Sequence, residues 1–300
     1  MKIGTRASIL AVSQADSVKL ALNGLGIQSD LVRFETQGDK ILDRALDKIG
    51  GKGLFTTELE EALWAREIDL AVHSLKDLPT ESPAGLTIAA YALAEDPRDV
   101  FIGHGAPLAA IPQGSVVGTA SLRRKAWLHQ LRPDLDVIPV RGNLHTRITK
   151  WREQRWAGLI LAAAGVHRLG WQALITEYLD PNTWVPAPGQ GILAIQMRQD
   201  HDGVAKVMRA LNDGMVQARA IAEREVLAQL GGGCQVPLGV YATIDDTHQV
   251  LHLVAQVVSV DGTETIRAEG RQDLAHAKEL GARVAEDLRR QGADEIIGDR

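Results

Sequence analysis

Short unbroken apolar runs alternate with stretches of 3.6-residue periodicity through the first two thirds of the chain, which predicts strands alternating with helices. Residues 2–5 read as a strand, and Ser8 is placed to cap a helix through Leu10, Ala11, Ala15, Val18 and Leu22 that stops at Gly24. A second strand covers 31–36. Thr57 and Glu60 have capping-box spacing ahead of a helix with Leu59, Leu63 and Trp64, and strands follow at 70–73 and 86–91. These elements make one α/β unit. From about Arg98 the pattern repeats: a strand at 115–118, a helix capped by Ser121 and running to Leu131, a strand at 137–140, a helix capped by Asn143 and running to Arg155, and a buried strand at 158–163. Pro186 and Pro188 then break the chain, and 191–197 reads as a strand that returns to the first unit.

The last segment changes character. A helix at 215–230 ends in Gly231-Gly232-Gly233, three strand patterns follow at 236–244, 250–258 and 264–270, and a helix over 273–290 comes behind them. Strands in a run with one helix behind predict a small α+β domain. The expected fold class is therefore α/β, with two lobes and a C-terminal α+β domain. The boundaries are 1–93 with 191–212 for the first lobe, 98–186 for the arginine-rich second, and 215–300 for the third domain.

Composition narrows the class. With 45% apolar and 24% charged residues the chain is globular rather than disordered. It lacks an apolar N-terminal stretch and any run of eighteen apolar residues, and its one cysteine excludes an intramolecular disulfide, so the expected compartment is the cytoplasm. The net charge of −5 is unevenly placed: residues 98–168 carry +7 and the remainder about −12. A basic middle in an acidic chain is either a locally held acidic ligand or a solvated basic face. The acidic remainder opposes a nucleic-acid backbone.

The local chemistry favours the ligand. The run Thr119-Ala120-Ser121-Leu122-Arg123-Arg124 joins a strand to a helix N-terminus, where backbone N–H groups and the dipole attract an anion. Two arginines in a first turn oppose that dipole, and an anionic ligand would offset the cost. Arg141-Gly142-Asn143, with Arg147 beyond it, repeats the arrangement; Arg168 and the pair Arg6 and Ser8 also follow predicted strands. Ligands of open α/β sheets sit beyond such strand ends, and a guanidinium fork grips carboxylates. Cys234, in Gly-Gly-Gly-Cys-Gln-Val-Pro, is either a small buried hydrophobe or a sulfur that its glycine-rich loop opens to a bulky group. Lys76-Asp77, after a strand, is either a surface ion pair or a catalytic carboxylate steadied by a cation. The charged stretch 39–53, ending in glycines, is a candidate lid. Gly50-Gly51-Lys52-Gly53 lacks P-loop spacing, no Gly-x-Gly-x-x-Gly follows a strand, and the histidines lack metal-ligand spacing.

Nine runs occur in a fixed order: Gly4-Thr5-Arg6 with Ser8, Thr36-Gln37-Gly38-Asp39, Gly50-Gly51-Lys52-Gly53-Leu54-Phe55, His73-Ser74-Leu75-Lys76-Asp77-Leu78-Pro79, Glu95-Asp96-Pro97-Arg98-Asp99, the run from Thr119 to Arg124, Arg141-Gly142-Asn143, Gly189-Gln190-Gly191, and Gly231-Gly232-Gly233-Cys234-Gln235-Val236-Pro237. In this order, across nearly the whole chain, they resemble the porphobilinogen deaminases, or hydroxymethylbilane synthases, of tetrapyrrole and heme biosynthesis. The resemblance implies two lobes like those of type II periplasmic binding proteins and a third domain. It implies a dipyrromethane cofactor on Cys234 through a thioether, to which four porphobilinogens are added with loss of ammonia before hydroxymethylbilane is released. Asp77 matches the catalytic carboxylate. Lys76, Thr119, Ser121, Arg123, Arg124 and Arg147 match cofactor-holding positions, and Arg6, Ser8, Arg141 and Arg168 match positions that handle incoming or growing pyrroles. The expected protein is a monomeric transferase acting on a small molecule, with no nucleic acid, membrane or metal as partner. Ala120, Lys2, Gln37 and His145 depart from the family pattern, and His145 would narrow the cleft. The alternative is a two-lobed carboxylate-binding protein without catalysis, which has no use for Cys234.

Overall fold

Residues 1–40, 55–231, 236–245, 247 and 249–298 are described by the structure, a computed structural model, the side chains of Asp39 and Lys40 excepted. Cys234 and residues 41–54, which include most of the candidate lid, lie outside the described residues.

The chain divides into two compact units, one of Met1–Glu95 with Gly191–Gln217 and one of Asp96–Gln190 with Ala218–Arg300. The first unit holds β1 (Lys2–Arg6), α1 (Ile9–Gly24), β2 (Asp30–Phe34), the short α2 (Gln37–Lys40), α3 (Thr57–Trp64), β3 (Leu70–Ser74) and β4 (Leu86–Ala92). The second begins with β5 (Asp99–Gly103), β6 (Val116–Gly118), α4 (Leu122–Leu131), β7 (Asp136–Ile138), α5 (Leu144–Gln154), β8 (Gly158–Ala162), α6 (Ala163–Arg168) and β9 (Glu177–Tyr178). Then β10 (Leu193–Arg198) and α7 (Asp202–Leu211) complete the first unit, and α8 (Gly214–Gln229) leads to β11 (Leu238–Asp245), β12 (Val250–Val258), β13 (Thr265–Asp273), α9 (Ala277–Arg290) and α10 (Ala293–Gly298).

The two larger sheets share one plan. In the first, the order is β2-β1-β3-β10-β4, with β1 parallel to β2 and β3, and β10 antiparallel to β3 and β4. In the second, the order is β7-β6-β8-β5-β9, with β6 parallel to β7 and β8, and β5 antiparallel to β8 and β9. The third sheet, β11-β12-β13, is antiparallel throughout. The fold class is therefore the expected one: two mixed α/β sheets and a small antiparallel sheet with helices. β10 pairs as 191–197 suggested, filling the position in the first sheet that β5 fills in the second.

Ser8, Ser121 and Asn143 each cap their helix, accepting from Ala11, Arg124 and Thr146 backbone N–H groups. The capping box at Thr57 and Glu60 does not form. Thr56 is the N-cap of α3, Thr57 already lies inside the helix, and buried Glu60 accepts from Gln196 Nε2 at 3.2 Å instead.

Apolar burial fixes these layers. Val18 and Leu22 of α1 pack with Ile3, Leu70 and Ile195 in the first unit. In the second, Trp127 of α4 shares a core with Phe101, Ile160, Val254 and Val258, so the C-terminal sheet packs on the helix that carries the arginine pair. Val226, Leu253, Leu280 and Val284 close the opposite side of that sheet. Among the described residues no helix is long and apolar enough to cross a membrane.

Candidate functional site

In the first unit the parallel strands β1 and β3 deliver their following residues to one place. β1 ends on Arg6, and β3 runs into a short 3-10 turn, Leu75–Asp77, closed by Leu78 N–H donating to Leu75 O at 3.1 Å. Leu75 N–H also donates to Ile192 O at 2.9 Å, which ties the turn to the segment entering β10. Arg6, Gln14, Phe55, His73, Ser74 and Asp77 line one cavity there. The Arg6 guanidinium stacks 4.2 Å from the Phe55 ring centre, a cation–π contact that holds the cation in place. Gln14 Nε2 donates to Ser74 Oγ at 2.9 Å. Asp77 is exposed and Lys76 half-buried.

His73, beside them, is buried, and its Nε2 lies 3.0 Å from Gln196 Oε1. Gln196 Nε2 donates to the Glu60 carboxylate, so the amide turns its oxygen to the imidazole and Nε2 of His73 carries the hydrogen. Burial lowers the His73 pKa from 6.5 to about 4; the Gln196 hydrogen bond opposes this and the charge of Arg6 adds to it. The ring is therefore neutral at physiological pH. The cavity thus combines a fixed cation, a solvent-facing carboxylate and a neutral imidazole of defined tautomer.

In the second unit the loop after β6 is built on itself. Thr119 N–H donates to Ile138 O at 2.9 Å, Ser121 N–H donates to Thr119 Oγ1 at 3.3 Å, and Ser121 Oγ accepts from Arg124 N–H at 3.4 Å. Thr119, Arg123 and Arg124 are buried. The cations in the first turn of α4 are partly balanced from inside, because Arg123 Nη2 and Arg124 Nη2 donate to the one carboxylate of Asp99 at 2.6 and 2.8 Å. Asp99 stands 24 and 25 residues away and opens β5, a strand not among those predicted from the sequence, although Val100-Phe101-Ile102 is a short apolar run.

Around Gly142 a second group forms. Gly142 has φ +110° and a Cβ there would lie 2.7 Å from Thr146 Cγ2, so only glycine fits the turn into α5. Arg147 Nε donates to Gly142 O at 2.8 Å, Lys150 Nζ to Arg141 O at 3.3 Å, and Nη1 of Arg141 is buried without a partner among the described residues. Arg168 ends α6 and is half-buried. His145 is exposed, its ring centre 6.4 Å from that of Trp171.

The structure therefore brings Arg6 to Asp77, links Thr119 through Ser121 to the arginine pair, and joins Arg147 to the Gly142 turn. Ser8 serves as the α1 cap, and Cys234 lies outside the described residues. Sequence reasoning gave no role to Asp99, His73 or Phe55, although each stands in a quoted run; their partners are distant in the chain. Among the described residues no group of three or more His, Cys, Asp or Glu side chains could hold a metal ion.

Comparison with known proteins adds an independent line. Residues 1–206 match the family described as porphobilinogen deaminase, dipyromethane cofactor binding domain, and residues 217–290 match porphobilinogen deaminase, C-terminal domain. The porphobilinogen deaminase of Syntrophobacter fumaroxidans is 45% identical over 99% of this chain and 96% of its own length. That of Desulfitobacterium hafniense is 47% identical over 99% of this chain and 96% of its own length. Among solved structures, the periplasmic VFT2 domain of Bordetella pertussis BvgS aligns over 73% of this chain and 91% of its own, at 12% identity and a TM-score of 0.42.

Proposed function

Since the chain belongs to the porphobilinogen deaminase family, we propose the following division of that reaction among its residues. The activity is that of a transferase of tetrapyrrole biosynthesis: four porphobilinogens are joined head to tail on a dipyrromethane primer, ammonia is lost at each step, and hydroxymethylbilane is the product. Every pyrrole of this substrate carries two carboxylate arms, so the chain must supply many cations and few competing anions. Buried Nε of Arg123, Nε of Arg124 and Nη1 of Arg141 have no partner among the described residues, which fits an acidic cofactor. Bound dipyrromethane supplies the nucleophilic pyrrole and the covalent tether on which the growing chain stays.

We assign that tether to Cys234, as a thioether. Lys76, Thr119, Ser121, Arg123, Arg124 and Arg147 hold the cofactor's acid arms, and Arg6, Ser8, Arg141 and Arg168 take those of incoming or growing pyrroles. Arginine suits both tasks because its planar fork binds carboxylates bidentately. Asp77 stabilises the positive charge that develops on pyrrole nitrogen when ammonia leaves and again when the new carbon–carbon bond forms. The observation that carries this reading is the cavity that places Asp77 with Arg6: a carboxylate for the reacting nitrogens, in the turn after β3, and a cation for the acid arms, at the end of the adjacent parallel strand β1.

The test is Cys234→Ser. A hydroxyl is a far poorer nucleophile than a thiolate, so the variant should be recovered folded, without the mass of two pyrrole units, and inactive. A serine variant that turned over like the parent protein would remove Cys234 from the reaction.

A further inference from the structure

Asp99 is a charge to which this division of labour gives no task. It opens β5, is 0% exposed, and receives four N–H donors. Arg123 Nη2 and Trp184 Nε1 reach Oδ2 at 2.6 and 2.8 Å, while Arg124 Nη2 and Gln190 Nε2 reach Oδ1 at 2.8 Å each. A carboxylate has about four acceptor positions, so this one is saturated and its plane is fixed. Burial favours the neutral acid, but the adjacent Arg123 and Arg124 charges and their hydrogen bonds outweigh it and hold Asp99 well below the usual carboxylate range.

Charge and hydrogen bonding both leave the cluster incomplete. Two guanidiniums face one carboxylate, so a single positive charge remains where an unpaired charge is costly. Nη1 of Arg123 donates to Val185 O at 2.8 Å and Nη1 of Arg124 to Ile160 O at 3.1 Å, yet both Nε atoms are buried with no partner among the described residues. A lysine could not do this, because only a fork can engage an internal acid through one nitrogen and keep another available.

We propose that Asp99 is a positioning residue for cofactor binding: it neutralises one of the two guanidinium charges, clamps both side chains through Nη2, and leaves their Nε–H groups and one net positive charge for a single carboxylate arm of the pyrrole cofactor. Trp184 and Gln190 contribute by fixing the Asp99 carboxylate. The inference rests on the reading of Arg123 and Arg124 as cofactor holders.

The experiment mixes porphobilinogen with apoprotein of the parent chain and of Asp99→Glu, Trp184→Phe and Arg124→Leu. Cofactor loading is followed by intact mass, and thermal midpoints are measured for apo and loaded forms. Asp99→Glu keeps the charge but advances it by one methylene, and a misplacement of about 1 Å costs up to about a hundredfold. Loading should slow by at least about tenfold, and the rise in midpoint on loading should shrink. Trp184→Phe removes one of the four donors with the site still packed, and should show the same changes to a smaller degree. A residue with only a structural role would lower both midpoints equally and leave the rise and the loading rate intact. That result in both variants, with Arg124→Leu unable to load, overturns the role of Asp99. Normal loading of Arg124→Leu would instead remove the reading beneath it, and the inference with it.

Discussion

Asp77 follows β3 by three residues, faces solvent, and lines the same cavity as Arg6. If its charge does the chemistry, Asp77→Asn, which keeps the shape, should lose turnover by at least the roughly hundred- to thousandfold that a well-placed electrostatic group supplies. Asp77→Glu should retain measurable activity. Steady-state kinetics with circular dichroism on both proteins checks this, and equal rates would end the electrostatic assignment. His73 offers a second test at this scale. Its pKa is lowered to about 4 in the folded protein against 6.5 unfolded, so between these values only the unfolded chain binds the proton. The contribution to stability is complete above 6.5 and lost as pH falls toward 4, and is on the order of 3 kcal/mol. Urea unfolding at about pH 4.5 and about pH 7.5 should show a smaller acid loss for His73→Gln than for the parent chain. An identical loss in both would mean that other groups set the acid limit. Asp77 was legible as a choice between two roles because both depend on its neighbours in the chain. His73 and Asp99 were not, because Gln196 and the arginine pair reach them only through the folded sheets.

The helix that begins at Ser121 has two fixed points. At its start Arg123 and Arg124 hold Asp99; at its end His129 Nδ1 lies 2.9 Å from Val260 O and Gln130 Nε2 donates to Thr265 Oγ1 at 2.7 Å, so the β12–β13 turn grips it. Gly262 in that turn has φ +81°, and a Cβ there would lie 2.4 Å from Gln130 N. Gly262→Ala should therefore cost about 1–3 kcal/mol in thermal unfolding, from backbone strain and a clash with main chain. A neutral substitution would show that the turn yields freely. At the other end, Arg124→Leu should fold, since Asp99 keeps Arg123, but be isolated largely as apoprotein. Arg168→Leu, at the end of α6, should keep cofactor and accumulate partly elongated complexes. Intact mass separates the two, and full loading of the first with normal turnover of the second would erase the distinction. The serine and asparagine caps were readable because capping is local. The capping box failed because a tertiary partner, Gln196, took Glu60, and β5 was missed because it opens on an aspartate whose burial depends on cations elsewhere.

Across the whole molecule, the two larger sheets repeat one strand plan on different sequences, and in each the parallel strands carry the arginines and hydroxyls at their C-terminal ends. Period and punctuation alone predict the alternation of strands and helices, and the change to a run of strands backed by a helix after the glycine run; that the three strands pair antiparallel comes from the fold. The family was legible from ordered motifs, and the matches over residues 1–206 and 217–290 agree with it. The net charge of +7 over 98–168 already counts Asp99 and Asp134 but does not show where they sit: Arg132 pairs with Asp134, the buried α4 pair shares Asp99, and Arg98 pairs with Asp96 just outside that stretch. The central claim, that this chain builds a tetrapyrrole on a primer carried by its only cysteine, is tested most directly by intact mass spectrometry before and after porphobilinogen is added. The account predicts that the purified protein exceeds its sequence mass by two pyrrole units, that substrate adds further units one at a time up to four, and that Cys234→Ser shows neither. A protein at its bare sequence mass that turns porphobilinogen over without any covalent adduct would contradict it.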